Sequence, residues 1–388
     1  MQNVIDDLVL IKPIGKGNYG EVFLTQKKGR SEYYATKKMD RAKCEIPQNW
    51  NRLQHEIGIL KILNHPNIVK FLGFKRTTNH YYLVTEYCNG GSLLSNLQKY
   101  KTTYHKPFSE EIVQYLMKQI VSALKYLHFN KIIHRDLKLD NILVTFPNDY
   151  DKKSLNMMKA TIKIIDFGFA TKLNGPLTFT ALGTPTNMDP QILTHIKTGI
   201  PNAGYNEKAD IWSLGTLCYE MLVGHTPFTG GNMEELFQKV KKGNYALPLT
   251  LSKEVVSFIN GMLQQDPNQR MTAAQLSTHE FLTKHPSQFQ PIDVRDISGT
   301  IGPGGVINMK SASAPKYNNN YGGNNLYQLW SFFNQPGLYT TATTPVTNQV
   351  QNFQQIQPVM QIGTQQQYGG YMNRPQQYNV YSNPVGYY

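Results

Sequence analysis

Apolar and polar residues alternate in three short runs near the start of the chain, "LVLIKPI", "GEVFLTQ" and "EYYATKKM". This is the period of strands. Glycines part the first two runs. In "NRLQHEIGILKIL" the spacing changes, and Leu53, Ile57, Leu60 and Leu63 fall on one helical face. Two more strand-like runs follow, "NIVKFLGFK" and "HYYLVTEYC". A small sheet with one helix is predicted, ending at "NGGSL", where Gly90 and Gly91 permit a reversal of the chain. Beyond this point the pattern is helical. Ser109 is a good N-cap, Glu110 and Glu111 suit the positive end of a helix dipole, and Ile112, Leu116, Ile120, Leu124 and Leu127 mark a buried stripe. Two short strands, "NILVT" and "TIKIIDF", flank a polar insertion, "FPNDYDKKSLNMMKA". Further helices are predicted at "EKADIWSLGTLCYEMLVG", "MEELFQKVKKG", "SKEVVSFINGMLQQ" and "TAAQLSTHEFL". The predicted class is α+β, with a β-rich small lobe over about 8–87 and an α-rich large lobe over about 88–282.

Composition changes the picture only near the carboxy end. From residue 301 onward there is no Asp or Glu, and Asn, Gln, Tyr, Gly and Pro dominate. Aliphatic residues are too sparse there to offset the entropy of ordering backbone. Residues 283–388 are therefore expected to form a low-complexity disordered tail. Its Asn/Gln/Tyr mixture favours self-association. The net charge of +13 raises nucleic acid as a partner. The lysines are spread among acids over the first 282 positions, and no basic arm, RRM, KH or Arg-Gly-Gly pattern is visible. A solvated basic surface with no direct nucleic-acid contact is the expectation. The cysteines, Cys44, Cys88 and Cys218, are few and far apart, which suits a reducing compartment. No segment reaches the ~18 apolar residues of a membrane span, and the amino terminus lacks a signal-peptide pattern. A soluble cytoplasmic protein is expected.

The candidate chemistry begins at "IGKGNYGEV". Gly15, Gly17 and Gly20 let backbone amides of Ile14, Lys16, Asn18 and Tyr19 come close to phosphate. A dinucleotide site would need a helix directly after the glycines. Here "EVFLTQ" is strand-like, so a hairpin flap over a nucleotide fits better. In "YATKKM", Ala35 and Lys37 share one face of a strand, with Lys38 as the competing lysine on the other. Small Ala35 leaves room for a base. An inward lysine needs an anion, which Glu56 on the following helix can supply. Last come "IIHRDLKLDN", with Asp136, Lys138 and Asn141, and "DFG" at residues 166–168.

In this order the five elements resemble the eukaryotic protein kinase family, over roughly 8–282. The resemblance implies a bilobal kinase fold, ATP and Mg²⁺ as cofactors, and protein substrates. It implies that Asp136 is the catalytic base, that Lys138 neutralises the transferring phosphoryl group, and that Asn141 and Asp166 offer oxygens to Mg²⁺. Lys37 would pair with Glu56 and hold phosphates. Val22, Ala35 and Leu143 would sandwich adenine, with backbone at Glu86 and Cys88 forming the hinge. His134 is expected to pack, stacking with Leu60, Phe71 and Phe167 above Asp210. Lys138 implies a serine/threonine rather than a tyrosine kinase, Thr184 would bond the loop Asp and Lys, and Phe169 leans toward serine. Arg135 next to Asp136 implies activation-loop phosphorylation, with Thr180 the first candidate and Thr178 the second.

One departure stands out. The family's A-P-E reads Asp189-Pro190-Gln191 here. A neutral Gln191 cannot form the ion pair that the family's Glu makes with an Arg matching Arg270. The rigidity of the substrate-binding segment is thereby brought into question. Ser92 and Leu139 are both non-acidic, so no selection for basic substrates is predicted. "YATKKMD", "DFGFA" and the insertion look like the unc-51-like, autophagy-initiating group, although the short tail does not. Two rival readings are an inactive kinase scaffold, disfavoured by the presence of Lys37, Asp136 and Asp166, and an RNA-associated protein using the tail.

Overall fold

The structure is a computed structural model, which describes residues 4–17, 20–173, 184–198, 206–293, 300–302 and 306–310. The amino-terminal lobe is an antiparallel sheet in the order β1-β2-β3-β4-β6-β5. Its strands are β1 (Val4–Ile5), β2 (Leu8–Gly17), β3 (Gly20–Lys27), β4 (Tyr33–Asp40), β5 (Phe71–Arg76) and β6 (His80–Glu86). A short helix, α1 (Arg41–Cys44), and the long α2 (Pro47–Ile62) join β4 to β5. Pro47 opens α2, where its missing N–H costs nothing. Leu53, Ile57 and Leu60 are buried as their spacing predicts. The expected strand "NIVKFLGFK" begins only at Phe71. Upstream of it, Val69 N donates to Ile164 O and Ile164 N to Asn67 O, so that stretch fastens the small lobe to the large one.

The large lobe is built around two helices, α4 (Glu110–Phe129) and α7 (Lys208–Val223). Ser109 caps α4 by accepting from Ile112 N, and Leu116, Ile120, Leu124 and Leu127 are fully buried. Ile112 is only partly buried; Val113 takes the inner position. Helix α7 is apolar on nearly every side and runs through the core. Around this pair stand α3 (Leu93–Tyr104), α5 (Asp149–Lys153), α6 (Pro190–Thr198), α8 (Met233–Lys242), α9 (Lys253–Met262), α10 (Ala273–Ser277) and α11 (Glu280–Thr283). The last two were predicted as one helix. They are split at His279, whose ring accepts from Phe281 N and starts a new helix. Helix α3, not predicted, starts from the Ser92 hydroxyl cap. The polar insertion also folds. Asn148 caps α5, and the Asp151 carboxylate accepts from the side-chain amides of Asn148 and Asn156 at 2.7 Å each.

Two strand pairs frame the loops between the lobes: β7 (Ile132–Ile133) with β10 (Thr171–Lys172), and β8 (Ile142–Thr145) with β9 (Thr161–Ile164). A further sheet corrects the expected domain boundary. Strands β11 (Asn244–Pro248), β12 (Thr300–Gly302) and β13 (Val306–Lys310) pair in the order β11-β13-β12. Residues 300–310 were expected to belong to the unstructured tail. Instead Ile307 and Met309 pair opposite Leu247 and Tyr245 and bury their side chains in the large lobe. Averaged composition hid a five-residue alternation, and β11 otherwise presents an open edge. Residues after 310 lie outside the described residues. Among the described residues, no helix is long and apolar enough to cross a membrane.

Candidate active site

The loop between β7 and β8 is held from below by one buried carboxylate. Asp210, at the start of α7, accepts from the backbone N–H groups of His134 and Arg135, both at 2.9 Å. His128 Nε2 lies 3.0 Å from the same group. Burial would raise the Asp210 carboxyl, but His128 and His134 outweigh it and hold it below its ordinary value. Arg135 adopts a φ of 70°, uncommon for a side-chain-bearing residue. His134 is fully buried, 2.9 Å from the Ile165 carbonyl and edge-on to Phe167, so it packs as expected.

Above this anchor, three side chains close on Asp136, which is 6% exposed. Thr184 Oγ1 donates to Asp136 Oδ1 at 2.7 Å, and Lys138 Nζ donates to Thr184 Oγ1 at 2.9 Å. Lys138 Nζ also lies 3.2 Å from Asp136 Oδ2. Burial would lower the Lys138 pKa, but Asp136 outweighs it and holds the ammonium above its usual value. Asn141 Nδ2 donates to the Asp136 carbonyl at 2.8 Å and to Oδ2 at 2.9 Å. The amide nitrogen is thereby spent on Asp136, which leaves the amide oxygen for a hard cation.

The β8–β9 ladder brings Asp166 to the same end of the fold. Ile142 faces Ile164, and Ile165 N donates to Asn141 O at 2.9 Å. Asp166 has a φ of 61°, and its Oδ1 accepts from Gly168 N at 3.3 Å. A Cβ on Gly168 would sit a tight 3.2 Å from Asp166 Oδ1 and in ordinary contact, at 3.5 Å, with Glu56 Oε2. Among the described residues, no cluster of three or more His, Cys, Asp or Glu could hold a metal alone. Two oxygen donors fit Mg²⁺, which keeps waters and phosphate oxygens as its other ligands.

Strand β4 settles the choice between the two lysines. Lys37 Nζ lies 4.0 Å from Glu56 Oε1 on α2, so Lys37 rather than Lys38 faces inward. Burial raises the Glu56 carboxyl, with Lys37 pulling it down. Val22 pairs opposite Lys37 on the neighbouring strand, and Ala35 lies between Leu24 and Thr85. Ile14, Gly15 and Lys16 lie on β2, with Gly15 opposite Val22 and Gly17 opposite Gly20. A strand follows the glycines, as expected for a hairpin flap. A Cβ on Gly20 would fall 1.8 Å from Lys38 O, so only glycine fits. Asn18 and Tyr19 lie outside the described residues.

At the end of β6, Glu86 Oε1 accepts from Lys70 N at 2.7 Å and pairs with Lys163 Nζ at 2.8 Å. Its carboxylate therefore ties the end of β6 to Lys70 and to Lys163 on β9. Cys88 is buried, which pushes its thiol up to about 11. Leu143 bridges Ser92, while Gly90 N donates to Val144 O at 2.8 Å.

Several residues escaped the sequence reading. Arg52, one turn before Glu56 on α2, lies over the Phe169 ring at 5.2 Å. The i, i+4 spacing from Glu56 was the available signal. Arg135 Nε donates to Phe169 O, so the residue after "DFG" is gripped from two sides. Thr178 and Thr180 lie outside the described residues. Two acids also went unnoticed. Burial pushes Glu220 up to about 7, with Asp140 adding to the rise and Lys101 opposing it. Asp140 is itself raised by burial. Finally, Arg270 does not lack a carboxylate: it forms a buried ion pair with Asp189. A partner two residues before Gln191, reaching across the fold, left no local signature.

Residues 8–282 match the protein kinase domain, and the chain belongs to that family. It is 33% identical over 284 residues to the probable serine/threonine-protein kinase MARK-A of Dictyostelium discoideum, covering 73% of this chain and 24% of that protein. It is 33% identical over 314 residues to the serine/threonine-protein kinase ATG1 of Kluyveromyces lactis, covering 72% of this chain and 37% of that one. It is 30% identical over 289 residues to the Aurora kinase of Dictyostelium discoideum, covering 74% and 69%. Near-equal identity to three groups selects none of them. The chain spans about a quarter to two-fifths of the length of the first two relatives.

Proposed function

We propose that this protein transfers the γ-phosphoryl group of ATP to serine and threonine hydroxyls of protein substrates. The observation that carries the reading is the arrangement of half-buried Lys138 and Thr184 around the buried Asp136, with polar atoms within 3.2 Å of one another. Asp136 accepts the substrate hydroxyl proton and orients that oxygen. Thr184 fixes the carboxylate rotamer. Lys138 supplies positive charge where the transferring group passes. Lys37, steadied by Glu56, holds the nucleotide phosphates. Val22, Ala35 and Leu143 enclose the adenine, and hinge backbone at Glu86 and Cys88 bonds its edge. Asn141 and Asp166 hold Mg²⁺, which when bound neutralises phosphate charge. Positioning and charge neutralisation supply most of the rate in this chemistry.

Arg135 receives a phosphate on Thr180 and so orders the segment after Phe169. The catalytic domain is kin to the unc-51-like group, on "YATKKMD", "DFGFA" and the ATG1 similarity. The Asn/Gln/Tyr-rich residues after 310 mediate self-association, and the protein acts in the cytoplasm. The test is a peptide array incubated with Mg·ATP. Phosphate on Ser and Thr peptides is expected from the wild type and not from Asp136→Asn. An array labelled equally by both overturns the reading.

A further inference from the structure

The ion pair of Arg270 and Asp189 is sealed from solvent, each residue being 2% exposed. Arg270 Nε donates to Gln264 O at 2.7 Å and Nη1 to Lys208 O at 2.9 Å. Its guanidinium lies 5.1 Å from the Trp212 ring centroid. The arginine therefore ties the end of α9 to the start of α7, and Asp189 adds the start of α6. The second oxygen of Asp189 accepts from Gln191 N at 2.6 Å, immediately after Pro190, the first residue of α6. One carboxylate caps a helix and neutralises a buried arginine.

The short segment before Asp189 is fastened along its length. Ser213 Oγ donates to Asn187 O, and Asn187 Nδ2 to Thr216 Oγ1, both at 2.8 Å. Asn187 N donates to Thr184 O at 3.0 Å, and Thr184 holds Asp136. Residues 184–189 thus form a strap running from the proposed catalytic base to Arg270.

We infer that Asp189 is a positioning residue for the protein substrate. It takes over, from two positions earlier, the anchoring that the family resemblance assigns to residue 191. The inference rests on the phosphotransfer reading. Removing one member of a buried pair leaves the other charge uncompensated, so the strap should loosen. A capping role alone predicts something different, because Asn caps helices as well as Asp does.

The test uses the full chain and compares wild type, Asp189→Asn and Asp189→Asn/Gln191→Glu. Asp189→Asn should raise the KM for a peptide substrate about tenfold while the KM for ATP stays unchanged. The double variant should return the peptide KM to within about threefold of wild type, since Gln191→Glu restores a carboxylate for Arg270. Wild-type peptide KM in Asp189→Asn overturns the inference, as does a double variant no better than the single one. If Asp189→Asn does not fold, the double variant decides alone: folded and active supports the inference, misfolded overturns it. A wild type inert toward every peptide overturns the phosphotransfer reading and this inference with it. An active wild type beside an indifferent Asp189→Asn overturns this inference only.

Discussion

Thr184 and Asp136, 48 residues apart in sequence, are joined by a 2.7 Å hydrogen bond from hydroxyl to carboxylate. The bond holds Oδ1, and with Asn141 and Lys138 on Oδ2 it fixes the orientation of the whole carboxylate. Thr184→Ser keeps the donor and should keep most activity. Thr184→Val keeps the shape without the donor and should lower kcat about 10- to 100-fold with ATP affinity intact. Steady-state kinetics on both variants checks this, and equal kcat values would show that the bond is dispensable.

Glu56 is buried and its carboxyl is raised by that burial, with Lys37 as the opposing influence. The useful state is the charged one. As pH falls through the raised pKa, Glu56 takes up a proton, Lys37 loses its partner, and ATP binding should weaken. Glu56→Gln should raise the KM for ATP about tenfold at neutral pH and remove this acid limb. A pH profile of kcat/KM for ATP distinguishes the two enzymes.

Glu220 bears on stability. Its pKa rises from an ordinary 4.5 to about 7, mainly through burial. The folded state thus holds a proton that the unfolded state releases between those values. Its contribution therefore becomes less favourable as pH rises from 4.5 to 7, and the full penalty applies above that. Glu220→Gln should raise the Tm at pH 8, by roughly 1–3 kcal/mol of stability, with the gain shrinking toward pH 5. Thermal melts at the two pH values measure it.

Strand β13 provides a test of the domain boundary. Ile307 is fully buried beside Leu247 on β11. Ile307→Ala should cost about 2–4 kcal/mol, and truncation after residue 293 should destabilise the large lobe further. Truncation after residue 310 should leave the Tm where it was. Denaturant and thermal melts of the three variants beside wild type give the comparison.

What was legible in the sequence follows from how local each cause is. Gly20 announces a close approach, Ser109 announces a cap, and the stripe from Leu116 to Leu127 announces a buried face. Lys37 could not be separated from Lys38 by period alone, because the answer lay with Glu56 on another element. The Arg270–Asp189 pair spans 81 residues, so the substitution at Gln191 read as a loss rather than a relocation. Strand β13 was missed because its reason lies at the edge of β11, some 60 residues earlier.

Asp136 acts on the acceptor hydroxyl in the proposed reaction, while other residues hold the nucleotide. The most direct measurement is the single-turnover rate of phosphate transfer to a serine peptide, taken with ATP affinity, for wild type and Asp136→Asn. Asp136→Asn should lower the rate by about 10³-fold with ATP affinity unchanged. An Asp136→Asn enzyme that transfers phosphate at the wild-type rate would contradict this role of Asp136.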